Sequence, residues 1–116
     1  MKTKKEWYRL AVKAGNTLYA HEEKTFKGTT DVMYFSLEVT RYDDFTGIRV
    51  HISPKGYNHG EAEAISDAIG HYSASINLNG YTELQDLDKF VADTMEQITA
   101  YRQKVDEFRK TYQQNQ

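Results

Sequence analysis

Cysteine is absent from this chain and proline occurs once, at position 54. The first absence excludes disulfide stapling, thiol nucleophiles and thiolate metal sites, so stability has to come from packing. The second leaves long stretches free to run as unbroken helix or strand. No apolar run approaches the ~20 residues of a membrane span. Met1-Lys2-Thr3-Lys4-Lys5 leads into an amphipathic pattern with no signal-peptide core. A soluble, cytoplasmic protein with no membrane partner is expected. The seven glycines form no phosphate-cradling fingerprint, and the serines lie in no nucleophile-elbow context. Nucleotide chemistry and triad hydrolysis are therefore unsupported.

What is present suits one modest core. A chain of 116 residues fits a single domain. Hydrophobic residues make up 39% and aromatics 13%, enough to argue against disorder outside the termini. Net charge is only −2, but it is unevenly spread. Residues 1–27 hold seven Lys/Arg against three acids, 28–99 four against twelve, and 100–116 four against two. Much of this is helix chemistry: Glu83, Asp86 and Asp88 begin the last helix while Arg109 and Lys110 end it, each sign complementing the helix dipole.

That last helix organises the chain. Leu84, Leu87, Val91, Ile98, Tyr101, Val105, Phe108 and Tyr112 recur at steps of three and four, with Thr94 breaking the seam. The spacing predicts a helix over 82–114, with Thr82 as N-cap and Gln85 completing a capping box. Such a helix reaches about 48 Å, against about 17–20 Å for a strand of five or six residues. The seam beyond Tyr101 therefore outruns any sheet this chain builds. Tyr101, Val105, Phe108 and Tyr112 are read as an oligomer interface, with the N-terminal helix as the alternative cover.

Upstream, Thr3 and Glu6 have capping-box spacing ahead of Trp7, Leu10, Ala11, Ala14 and Leu18, which predicts a helix from Lys4 to about Glu23. From Asp31 to Tyr42 the period changes to two, and Ile48, Val50 and Ile52 alternate after the turn Asp43-Asp44-Phe45-Thr46-Gly47. The two runs predict a hairpin whose apolar sets share a face only if paired residue numbers sum to an odd value, for instance Tyr42 opposite Arg49 and Thr40 opposite His51. Asn58 and Glu61 introduce a short helix ending at Gly70, and His71 to Asn79 alternates as a third strand. The expected fold is a single α+β domain over 1–116. Its order is α-β-β-α-β-α, with a three-stranded antiparallel sheet covered on one face by the N-terminal helix and the long C-terminal helix.

Two clusters carry possible chemistry. His59, Glu63, Asp67 and His71 are spaced by four, and imidazole and carboxylate so spaced share a helix face where they could meet one ion. The same residues are also the solvated side of a short helix, opposite Ala62, Ile65 and Ile69. No metal and no cofactor are expected on this reading. The second cluster is the outer sheet face, where Tyr34, Tyr42, Arg49 and His51 point away from the core. Tyrosines anchor partners or stack on bases, and Arg49 offers a planar donor fork. The function expected is that of a small non-enzymatic interaction protein, a homodimer that binds or inhibits another macromolecule, of the kind phages and plasmids carry. A nucleic-acid binder using the Tyr/Arg face is the alternative, and an enzyme or metal protein using the His/Glu/Asp cluster is the third reading.

Overall fold

The computed structural model describes residues 2–26, 33–55 and 59–114, with side chains described through Thr111. Six elements follow in chain order: α1 (Lys4–Thr25), β1 (Met33–Arg41), β2 (Thr46–Pro54), α2 (His59–Ile69), β3 (Tyr72–Leu78) and α3 (Leu84–Gln114). The strands form one antiparallel sheet in the order β1-β2-β3. This is the α-β-β-α-β-α arrangement that the hydrophobic periods predict. Among the described residues no helix is long and apolar enough to cross a membrane.

α1 begins where its capping box places it. The Thr3 hydroxyl accepts from the Glu6 amide at 3.1 Å, and the Glu6 carboxylate accepts from the Thr3 amide at 3.3 Å. These hydrogen bonds to Thr3 hold the Glu6 carboxyl below its ordinary range. Trp7, Ala11, Ala14 and Leu18 then bury one face. The helix runs straight through Gly15-Asn16 because Gly15 is a contact residue. A Cβ there would stand 3.1 Å from Leu37 Cδ2, so the missing side chain lets α1 lie close on β1.

The inner sheet face supplies Met33, Ile48, Val50, Ile52 and Leu78 to the core, and α1 and α3 lie over it side by side. Each fully buried large aliphatic side chain contributes about 1.5–3 kcal/mol. The hairpin has the predicted parity but a different offset. Glu38 faces Arg49 and Ser36 faces His51, four residues from the expected pairing of Tyr42 with Arg49 and Thr40 with His51. The tip settles the difference. The Tyr42 amide donates to the Phe45 carbonyl at 2.8 Å, so the turn closes over Asp43-Asp44 and the last strand pair is Arg41 with Thr46.

α2 ends as predicted: Gly70 takes φ 72°, and its amide donates to the Ser66 carbonyl at 2.8 Å. The expected cap at Asn58 lies outside the described residues. The start of α3 is shifted from the predicted box. Thr82 closes the turn after β3, its hydroxyl donating to the Asn77 carbonyl at 3.0 Å and accepting from the Asn79 amide at 3.1 Å. The helix is capped one residue later, where the Asp86 carboxylate accepts from the Glu83 amide at 2.9 Å. Leu84 thus sits at the helix entrance, exposed and off the seam.

The seam itself is filled from within the chain. Leu87, Ile98, Tyr101 and Val105 are buried, as is Thr94, whose hydroxyl donates to the Phe90 carbonyl at 2.7 Å. α1 runs parallel to α3: His21 Nε2 lies 3.0 Å from Thr99 Oγ1, while the Arg102 guanidinium donates to the Thr25 carbonyl and sits over the Phe26 ring. Beyond Tyr101 the cover changes to α2. Tyr101 Oη donates to the Gly70 carbonyl at 3.2 Å, and Arg109 pairs with Glu61 at 2.9 Å. The molecule is drawn out to 56 × 23 × 18 Å, so α3 does outrun the sheet as its length predicts. Of the residues read as an oligomer interface, Tyr101 and Val105 lie in the chain's own core, and Phe108 packs against it. The side chain of Tyr112 lies outside the described residues.

Burial pushes the Tyr101 phenol up to about 12. An unfolded chain ionises this group near pH 10. The stabilisation tied to the protonated phenol is therefore complete below about pH 10 and is lost as pH rises toward 12. Tyr101→Phe should cost about 1 kcal/mol at neutral pH through the lost bond to Gly70. It should also flatten the fall in stability above pH 10, as read by urea unfolding. An unchanged alkaline slope would mean that the phenol titrates in water.

Candidate functional site

The sheet face turned away from α1 and α3 is laid out in cross-strand rows. From the hairpin tip these are Thr40–Gly47–Asn77, Glu38–Arg49–Ser75, Ser36–His51–Ser73, and Tyr34–Ser53. All four predicted recognition residues belong to this side of the molecule, but they divide into three places. Tyr42 and Arg49 line one concavity. His51 is engaged by other polar groups. Tyr34 is at the far end, eight residues along the strand from Tyr42 or about 26 Å, with the Lys55 ammonium 5.2 Å from its ring centroid.

The tip is built by an aromatic pair. Tyr42 and Phe45 stack with centroids 4.5 Å apart and planes 23° from parallel. They lie over Gly47, where an added Cβ would come within 3.4 Å of the Tyr42 ring and 3.6 Å of the Phe45 ring. Gly47 is thus the floor that lets two rings rest on the strand. The rings wall a concavity of about 480 Å³ whose remaining lining includes Glu38, Thr40, Arg49 and Asn77. Tyr42 is 50% exposed, so its face is available while its orientation is fixed by Phe45. The register brings Thr46 opposite Leu78, so the exposed side chains of Tyr81 and Leu84 follow at the same end of the sheet.

Phe45, Glu38 and Asn77 are missed when the segment around Phe45 is read only as turn chemistry. A signal was present in Gly47: a glycine inside a strand marks close approach by another group.

The second predicted cluster does not assemble. His59 and Glu63 approach to 3.9 Å on the exposed side of α2, but His71 leaves that side at Gly70. His71 Nδ1 instead lies 3.3 Å from His51 Nε2, with the rings 5.3 Å apart and inclined by 62°. The outer nitrogens of this pair each meet a hydroxyl, His51 Nδ1 with Ser73 Oγ at 2.8 Å and His71 Nε2 with Ser66 Oγ at 3.1 Å. Among the described residues no group of three or more His, Cys, Asp or Glu is placed to hold a metal ion.

Comparison with known proteins returns no match to a family model, a curated protein or a solved structure.

Proposed function

We propose that this is a small, non-enzymatic, cytoplasmic interaction protein that recognises a protein partner through the hairpin-tip half of its outer sheet face. The observation that carries the reading is Tyr42, half-exposed yet stacked on Phe45, walling a concavity that also holds Arg49. A pre-oriented tyrosine loses little freedom on binding, and tyrosine with arginine is the pairing most enriched where binding energy concentrates. Glu38 stands opposite Arg49 across the strands, so the surface is balanced in charge. That balance suits a folded protein surface better than a phosphate backbone, whose binding rests on clustered cations. The reading needs no second copy, because Leu87, Ile98, Tyr101 and Val105 of the long seam are buried within the chain.

The test is affinity capture from the native host with the wild-type chain and with a Tyr42→Ala/Arg49→Ala variant. The double variant should retain its far-ultraviolet spectrum and lose at least about 2 kcal/mol of partner affinity, roughly thirtyfold. Tyr34→Ala, at the other end of the face, should change affinity little. Undiminished binding by the folded double variant would reduce this face to an ordinary solvated sheet. Capture of nucleic acid in place of protein, weakened steeply by salt, would favour the nucleic-acid reading.

A further inference from the structure

We propose that His51 and His71 form a two-imidazole site for a divalent transition-metal ion, Zn²⁺ in the first instance, open to the outer sheet face. The spacing is the first argument. Their facing nitrogens, His51 Nε2 and His71 Nδ1, are 3.3 Å apart. Zinc–imidazole bonds are about 2.0–2.1 Å, so two such nitrogens on one tetrahedral ion stand about 3.3–3.4 Å apart.

The outer nitrogens give the second argument. Metal-bound histidines almost always donate their other ring N–H to an oxygen, which fixes the tautomer and turns the ring toward the ion. Here both rings have that oxygen in place: Ser73 Oγ at 2.8 Å for His51 and Ser66 Oγ at 3.1 Å for His71. When both outer N–H groups donate to these serines, the two inner nitrogens present lone pairs to each other. That arrangement requires a cation between them. Without an ion, one ring keeps its proton on the inner nitrogen and Ser66 turns its hydroxyl to donate, since a serine hydroxyl serves in either sense. Metal binding thus moves the His71 proton from Nδ1 to Nε2, releases none, and leaves both serine contacts in place.

The two rings come from different elements. His51 is held in the central strand, and His71 follows Gly70 as an exposed residue between α2 and β3. The strand fixes one ligand while the exposed ring makes the small turn needed to aim its lone pair at the ion. Two protein donors leave two positions of a tetrahedral ion for water or for a donor on a docked molecule. The result is an exchangeable site, unlike the closed four-ligand sites that hold folds together. Imidazole donors suit zinc, copper and nickel and give calcium or magnesium little. The inference stands apart from the partner reading, because it uses neither Tyr42 nor Arg49.

Calorimetric titration of the metal-free full chain with Zn²⁺ in a non-chelating buffer tests it. One saturable ion per chain is expected, with no comparable response to Mg²⁺. His51→Ala and His71→Gln should each abolish the saturable phase, and Ser73→Ala should weaken it about tenfold or more. His59→Ala and Glu63→Gln should leave it unchanged. Emission from Trp7, the single tryptophan, reports whether each variant is folded. Should a histidine variant fail to fold, Zn²⁺-induced shifts of the His51 and His71 ring resonances in the wild-type chain decide instead. Absence of saturable uptake by the wild-type chain overturns the proposal. So does a phase that survives loss of His71 and disappears with His59, which would place the ion on α2.

Discussion

Val105→Asp is expected to destabilise the chain severely, with a loss of at least about 4 kcal/mol at neutral pH. Valine and aspartate are close in size, so the substitution changes charge at nearly constant volume. Val105 is fully buried on α3 in the stretch that α2 covers beyond the sheet. A carboxylate there either ionises without water or takes up a proton, and either route costs free energy. The second route supplies a signature. The buried Asp should have a raised pKa, so its penalty should shrink as pH falls toward the ordinary carboxyl range. With a total stability of about 5–15 kcal/mol for a domain of this kind, such a loss leaves a domain at the low end of that range within about 1 kcal/mol of unfolding. Lys104→Ala, one residue away on the exposed side, should stay within about 0.5 kcal/mol. Urea unfolding followed by Trp7 emission, together with light scattering, separates the outcomes. A Val105→Asp protein that stays folded and merely halves in mass would return the seam to an interface between two copies.

The same residues show what the sequence could and could not say. Periods of 3.6 and 2 located all six elements, because each buries one face and the apolar spacing records which. Parity in the hairpin was legible for the same reason: only odd-sum pairing keeps Phe35, Leu37, Ile48 and Val50 together. The offset was not, since registers four residues apart bury the same faces. It was decided by Tyr42 and Phe45 stacking over Gly47, a contact among three residues that carries no periodic signal. Helix length correctly showed that α3 exceeds the sheet. Its cover is α1 as far as Arg102, as the sequence allowed, and beyond that α2, whose position follows from the route of the chain between β2 and β3. His71 illustrates the limit for sites. Spacing by four offered it to the α2 face beside Asp67 while Gly70 marked the end of that helix; what the spacing did not carry is that the turn at Gly70 delivers the ring to His51, twenty positions earlier in the chain.

The junction of α2 with α3 should depend on one ion pair. Arg109 Nε and Nη2 both reach Glu61 Oε1 at 2.9 Å, and Nη2 also approaches the Lys55 carbonyl at 3.5 Å. Both residues are buried, at 8% and 5% exposure, so neither charge is relieved by bulk water. Arg109→Ala should therefore cost about 3–5 kcal/mol, because it leaves the Glu61 carboxylate buried without its guanidinium. Glu61→Ala should cost a similar amount by stranding the guanidinium. Replacing both at once, as Glu61→Leu/Arg109→Met, removes two desolvated charges and restores apolar contact, and should recover most of the loss. The pattern of two costly single changes and a mild double change measures coupling directly. Hydrogen exchange locates it: in Arg109→Ala the amides of α2 should lose protection ahead of those in β2, whose side chains remain under α1. Single variants that lose less than about 1 kcal/mol would show the pair to be solvated, as exposed salt bridges are. The hold of α2 on the far half of α3 would then rest on the core residues there, Ile65, Tyr101 and Val105 among them.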